Sequence, residues 1–557
     1  CNYFMVLYNA LTNKMLVDEI VDAHVLVIGS GGAGARAAIE ASQYGGVVMV
    51  SKTIAGKGGC TTMAEGGFNA VLRDQDSVDV HCEDTLRGGA YLNDPALVDV
   101  LAREAPERLA DLVRWGAVFD VTDDRKVAQR PFGGQRFPRT CYAGDRTGHE
   151  IMMTLLDRLD ATDTQLYQEV SVVDLIRDEN GAVAGAVALD RDGDLVLFRA
   201  DATVLATGGG TQAYDISTNS AAGTGDGFAM AYRAGAELID MEMVQFHPTG
   251  AVYPYDARGR LVTEAVRGEG GILLNARRER FMQRYDPDRM ELSTRDVVAR
   301  AIATEVLEGR GTNRGGVYLD VTHLPAERIE ARLPVMLEQF LAYGVDIRKE
   351  PMEVAPTAHH IMGGLRITPE CRTTIPGLFA CGEVAGGVHG ANRLGGNALA
   401  DTQVFGKRAG EFAGKAPEHS GRIDPARVDA ELRMLDAFFE GSVSPAEVRK
   451  DLKLTMWNQA GIFRSAPDLR TALGHIRRLA DRRLLAASTA NLLDCCTVRN
   501  MCTTASLIVR CALLRPENRG AHVRRDADVV TDPATSPFGH TYVSLAREGI
   551  ECREVPA

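Results

Sequence analysis

No apolar run in this chain reaches the roughly 18 residues that cross a bilayer, so no segment is expected to insert into a membrane. There is no basic tract, and the formal net charge is −13, which argues against a nucleic-acid partner. The first 20 residues lack the signal-peptide order of basic start, apolar centre and small-residue cleavage site. The expected start is Met15, with the residues before it a ragged extension. The 11 cysteines follow no disulfide framework, which favours a reducing compartment. Their densest group, Cys495, Cys496, Cys502 and Cys511, has no zinc or iron–sulfur spacing and reads as buried thiols on helices. No histidine lies between His24 and His81.

Glycine, by contrast, is abundant. Seven of the 25 residues from Gly377 to Asp401 are glycine, set around His389, Glu383 and Arg393. Such a main chain can approach a ligand closely, and an arginine within it offers a planar, permanently charged fork. The segment reads as a holder for something flat and something negative. With 45% hydrophobic and 25% charged residues the chain is ordinary globular protein. Its length is too great for one core, so two or three domains are expected.

HVLVIG (24–29) reads as a buried strand, followed by Gly29, Gly31 and Gly34 in G-x-G-x-x-G spacing, an Ala-rich helix to about Tyr44, and a second strand, VVMVS. That order places a pyrophosphate on a helix N-terminus. The NAD version of the unit ends its second strand in an acid. Here Ser51-Lys52 stands there, which disfavours a plain NAD-dependent dehydrogenase. Asp94-Pro95 caps a helix expected to run to Trp115 and stop at Gly116. Residues 165–207 alternate like a β-meander turned by Asn180-Gly181 and Asp192-Gly193. Residues 240–355 carry fewer glycine clusters and more Arg, His and Glu, and read as an inserted cap. The Gly-rich style returns over 357–410, and residues 424–515 are helical in pattern.

Four motifs could carry chemistry: QFHPTG with His247, TEAVRGEGG with Thr263, Glu264 and Arg267, STRD with Arg295, and PTAHHIMGG with His359. With Arg393 they suit a small dicarboxylate, because arginine meets carboxylate in bidentate fashion. Taken singly, each has an ordinary reading. His247 could cap a loop, Arg295 could pair with Glu291 or Asp296, and Glu264 and Arg267 could pair along a helix.

Together with GSGGAGARAAIEA, AEGGFNA, QRPFGGQ, RTCYAGDRTGH, GTGDG, HGANRLGGNALAD and the late RPENRGAHVRRD, the ordered set resembles the flavoprotein subunit of succinate dehydrogenase and fumarate reductase over about residues 22–526. Asn518 stands where the family usually has Ser. The resemblance implies an α/β FAD-binding Rossmann-like domain (22–238 and 356–422), an inserted α+β capping domain (239–355) and a helical C-terminal domain with its tail (423–557). It implies FAD held by Gly29, Gly31, Gly32, Gly34, Ser51, Lys52, Gly66, Gly67, Asp226 and Glu383, with Asn397, Ala398 and Leu399 lining the flavin. His247, Thr263, His359 and Arg393 would bind the carboxylates of succinate or fumarate. Arg295 would donate and accept the proton, fed by Glu264 and Arg267.

Relatives of this kind exchange electrons with a separate iron–sulfur subunit. They reach the membrane through further anchor subunits, so a cytoplasmic, peripheral location is expected. The segment Gln129–Gln135 has the succinate/fumarate form and speaks against an L-aspartate oxidase. A soluble thiol- or flavin-driven fumarate reductase, and a flavin-binding scaffold without turnover, are the other readings. Family members tether FAD to a histidine, and here Cys60 or Gly59 occupies that place. Non-covalent FAD is expected, with a cysteinyl link through Cys60 the remote alternative. A missing tether lowers the flavin potential and favours fumarate reduction. Glu65, where some succinate dehydrogenases have Gln, points the same way.

Overall fold

The computed structural model describes residues 15–417, 423–529, 532–545 and 550–554. The strand Glu19–Ile28, buried over Val25–Ile28, lies inside a seven-stranded sheet. Val47–Ser51 runs parallel to it on one side and Leu195–Leu205 on the other. The intervening helix is Gly32–Ala41, one turn shorter than the Ala-rich pattern implies. Gly29 has φ +112°, and a Cβ on Gly34 would run into the carbonyl of Gly29. The third glycine therefore lets the helix lie against the strand end.

The expected meander starts later than its alternation suggests. Val170–Arg177, Val183–Asp190 and Leu195–Leu205 pair antiparallel. Gln165–Gln168 instead joins the opposite edge, parallel to Val47–Ser51. Glu169, at φ +58°, turns the chain between the two. Leu195–Leu205 is long enough to serve two partners along one edge, Val183–Asp190 at its N-terminal end and Leu378–Ala380 at its C-terminal end. That pairing carries the Gly-rich segment back to the first strands. Helix Asn397–Gly414 then packs on Gly32–Ala41, with Gly406 and Gly410 seated against the backbone of Ala33 and Ala37.

A four-stranded antiparallel sheet is built from Val244–Tyr253, Met352–Ile361, Val317–Asp320 and Ile272–Leu274. It encloses a separate apolar core that includes Val266, Phe281, Val298, Ile302, Leu319 and Phe340. The helices Pro425–Phe438, Pro445–Gln459, Ala466–Ala480 and Thr489–Leu514 follow. Their apolar residues, among them Leu435, Leu452, Leu469 and Leu507, are continuous with the main core. The C-terminal region is not all helix, since Phe538–Val543 pairs antiparallel with Leu238–Ile239. Asp94 caps helix Pro95–Arg114 by accepting from the Ala96 N–H, a contact of about 1 kcal/mol. Among the described residues no helix is long and apolar enough to cross a membrane.

Gly410→Val would drive side-chain atoms into the Ala37 carbonyl. The expected loss is about 1–3 kcal/mol, read as a lower melting temperature. An unchanged melting temperature would refute the close packing.

Candidate active site

A cavity of about 770 Å³ opens where the Gly-rich segments of the first sheet meet the second sheet. At one end, Lys52 Nζ donates to Asp226 Oδ2 (3.0 Å), Thr224 Oγ1 (3.2 Å) and Thr497 Oγ1 (3.0 Å). Asn500 Nδ2 completes the Asp226 carboxylate at 2.8 Å. Burial opposes ionisation of Asp226, but Lys52 and these hydrogen bonds outweigh it and hold the carboxyl below its usual range. Thr497 and Asn500 come from the long C-terminal helix. Neither is marked by the sequence, because a polar residue on a mostly apolar helix gives no sign of what it faces.

Along the middle, Gly29, Gly31, Gly32, Ser51, Gly66, Gly67 and Glu383 line the wall, as do Ala398 and Leu399. A Cβ on Gly31 would meet nothing nearer than Thr61 Oγ1 at 3.7 Å, and one on Gly208, at φ +72°, would meet nothing within 4 Å. Both positions therefore leave room for a ligand. Helices 32–41 and 397–414 begin at Gly31 and Gly396 with no side-chain cap, so their N-terminal ends can receive a group with negative charge. An elongated cofactor with a pyrophosphate and a flat ring, FAD, fits these residues.

Two of the expected cofactor residues lie off the wall. Gly34 is packed into the helix–strand contact. Asn397 accepts from Asn69 Nδ2 (2.7 Å), bonds with His81 Nε2 (3.1 Å) and donates to Thr85 Oγ1 (3.1 Å). Its side chain holds the helix start from behind, a correction to the expectation that it lines the flavin. Glu383 accepts from the Ile361 N–H at 3.0 Å, and burial pushes its carboxyl up to about 7.

At the other end lie His247, Thr263, Glu264, Arg295, His359 and Arg393. Arg295 opens helix Arg295–Leu307 and donates through Nε to Glu264 Oε2 at 2.8 Å. Its Nη1 reaches Gln245 Oε1 at 3.3 Å, and Arg393 Nη2 reaches the same oxygen at 3.2 Å. Gln245 Nε2 donates back to the Arg393 carbonyl at 2.8 Å. Glu264 Oε1 takes the Gly133 N–H at 2.8 Å. Burial disfavours its charge, but Arg295 and Arg267 prevail and keep it ionised. Arg267 lies behind the wall, 3.8 Å from Glu264, and donates to the Glu291 carbonyl at 2.6 Å. Arg393 Nε is buried with no hydrogen-bond partner in the protein. Burial, then Arg295, lowers Arg393 to about 9, so it stays charged at neutral pH.

The two imidazoles sit with ring centres 5.0 Å apart. Burial first and Arg295 second hold both well below the ordinary histidine value, so both are neutral. His359 Nδ1 is paired with Thr218 Oγ1 at 2.7 Å. Its direction comes from a β-bulge: Gln245 pairs with His360 and Phe246 with Ala358, leaving His359 as the extra residue. Consecutive strand residues normally face opposite ways, and the bulge lets His359 and His360 both line the cavity. Gln245 belongs to the QFHPTG motif, yet the motif by itself assigns it no role. Its signal is the spacing of two from His247 along a strand.

The match to a FAD-binding domain family covers residues 24–399, and one to the fumarate reductase flavoprotein C-terminal family covers 449–551. The chain is 54% identical over 543 residues to a CoM/CoB fumarate reductase subunit from Methanothermobacter marburgensis, covering 95% of this chain and 98% of that one. Among solved structures, Mycobacterium smegmatis Sdh1 in complex with UQ1 superposes with a TM-score of 0.85 at 39% identity, over 97% of this chain and 95% of that one. An E. coli quinol fumarate reductase variant gives 0.89 at 35%, over 96% and 97%. This chain belongs to the fumarate reductase and succinate dehydrogenase flavoprotein family. It is an FAD-dependent oxidoreductase, and this fumarate reductase-type flavoprotein brings its two arginines to one glutamine oxygen.

Gln245→Met removes the acceptor that the two guanidinium groups share. A hydrogen bond to a charged group is worth about 1.5–3 kcal/mol, so the KM for fumarate should rise about tenfold or more while FAD content stays constant. An unchanged KM would show that Gln245 does not set the arginine spacing.

Proposed function

We propose that the chain is the catalytic flavoprotein subunit of a fumarate reductase, interconverting fumarate and succinate with reduction as its working direction. The observation that carries this reading is the pairing of Arg295 with Glu264 and Gln245, opposite Arg393 and two neutral histidines. Arg267 and Arg295 flank Glu264, and Arg393 joins Arg295 at Gln245, a concentration of positive charge that a dicarboxylate matches.

Residues 239–355 act as the capping domain over this end of the cavity. Gly29, Gly31 and Gly32 would hold the pyrophosphate of FAD; Glu383, Ala398 and Leu399 would border its ring. Bound FAD supplies the hydride. Arg393, His247, Thr263 and His359 hold the two carboxylates, which fixes the alkene in place of a bimolecular search. Neutral imidazoles suit this task, since they donate hydrogen bonds without adding charge that the site must bury. Arg295 delivers a proton to the neighbouring carbon. An arginine is a weak acid, with a pKa above about 12, so transfer has to be concerted and the proton replaced at once. Glu264, 2.8 Å away, is ionised, so it replaces the proton by passing on one that it takes up from Arg267.

The flavin is held without a covalent bond. Gly59 offers no side chain, and the Cys60 thiol, which donates to Asn219, is pushed up to about 12 by burial and by Glu383. A thiol in that state forms almost no thiolate at neutral pH, and the thiolate is the nucleophile. Electrons arrive through an iron–sulfur partner subunit. The similarity to a CoM/CoB fumarate reductase favours a thiol as the source over a quinone-binding membrane anchor.

Arg295→Lys should keep FAD bound and lower turnover about 100-fold or more; near-normal turnover would remove Arg295 as the acid. Acid precipitation should leave the flavin in the supernatant, and a fluorescent pellet would overturn non-covalent binding. A dye-coupled assay with succinate tests the enzyme against the scaffold: FAD-loaded, folded protein with no activity would favour the scaffold.

A further inference from the structure

The late motif RPENRGAHVRRD lies outside the cavity, yet its turn touches both halves of the arginine site. On one side, Ala521 N donates to the Ala391 carbonyl at 2.9 Å, and Ala391 N donates to Gly89 O at 2.8 Å. Ala391 lies two residues before Arg393. Gly520, at φ +54°, is pressed so close to Ala391 that a Cβ would strike its carbonyl. The turn itself is anchored by Arg519, whose guanidinium donates to Ala90 O (2.7 Å), Tyr91 O (2.8 Å) and Phe538 O (2.7 Å). On the other side, Arg300 Nη1 donates to the Gly520 carbonyl at 2.8 Å. Arg300 is on helix Arg295–Leu307, the helix that Arg295 opens. Asp296, one residue after Arg295, holds the Arg300 guanidinium at 2.9 Å.

Farther along, the same helix parts from the C-terminal region. Thr304, Leu307 and Glu308 line a cleft of about 480 Å³ with Phe463, Asn518 and Arg525 on its far wall. Arg300 thus makes its contact just where the two surfaces begin to separate. We propose that Arg300 is a positioning residue, which through the Gly520 carbonyl keeps the helix bearing Arg295 in register with the loop bearing Arg393. The spacing of the two arginines is then set at two points: inside the cavity by Gln245 and outside it by Gly520. The guanidinium of Arg300 is part-exposed, with its side chain 30% accessible, so its loss should not unfold the protein.

This inference rests on the reading of Arg295 as the acid, and its test separates the two. Arg300→Met should lower kcat for fumarate about 10- to 100-fold, the scale expected when a catalytic group is displaced by about an ångström. KM should change far less, because the carboxylate ligands keep their places, and the melting temperature and FAD content should match wild type. Arg300→Lys, which can still donate to Gly520 O and pair with Asp296, should restore much of kcat. Amide hydrogen exchange over residues 295–300 should speed up in Arg300→Met and return towards wild type in Arg300→Lys. Exchange does not depend on which residue supplies the proton. Faster exchange with full kcat would keep the contact and remove the role of Arg295. Unchanged exchange, or a loss of kcat that lysine does not rescue, would overturn the proposal.

Discussion

Two guanidinium groups share one amide oxygen, that of Gln245, and much of the surrounding structure serves to keep them there. Like charges at this separation repel, and burial takes away the water that would screen them. Glu264 offsets part of that cost, and is itself fixed by the Gly133 N–H and by Arg267. A Cβ on Gly133 would crowd the carbonyl of Ser293, so the close approach of this loop to the site depends on glycine. Glu383 and Asp401 act on Arg393 as well, yet burial and Arg295 still lower it to about 9. The two histidines beside the arginines are held neutral and so add no further repulsion.

The elements that carry these groups come from distant parts of the chain. Gln245 and His247 lie on one strand of the second sheet and His359 on its neighbour, while Arg295 opens a helix and Arg393 sits in a Gly-rich turn. The long strand Leu195–Leu205 pairs at once with the first strand and with Leu378–Ala380. That shared pairing is what delivers the turn with Arg393 to the cavity. Gly406 and Gly410 then allow the following helix to lie flat on the first one.

Much of this was legible in the sequence, because it rests on local rules. The strand–glycine–helix unit follows from spacing and the Asp94 cap from its neighbours. Long motifs also identified His247, Thr263, Glu264, Arg295, His359 and Arg393 as a set. The rest depends on tertiary contacts that no local pattern encodes. Gln165–Gln168 alternates like a meander strand, but a single left-handed residue, Glu169, sends it to the other edge. Asn397 belongs to the right motif yet turns its side chain to Asn69 and Thr85. Thr497 and Asn500 reach Lys52 and Asp226 from a helix far along the chain, Asn500 being 274 residues beyond Asp226. His359 is aimed by a bulge, and a bulge is a property of the pairing of two strands.

The cavity is an extended groove whose walls come from distant parts of the chain. Among those parts are the first glycine motif, the Gly377–Asp401 segment, and the Lys52–Asp226 end braced by the C-terminal helix. The C-terminal region therefore does more than fill out the core. It braces one end of the cavity through Thr497 and Asn500 and, through the Gly520 turn, touches both arginine-bearing elements at the other. One region in contact with both ends of a long groove makes cofactor retention and arginine spacing depend on the same packed scaffold.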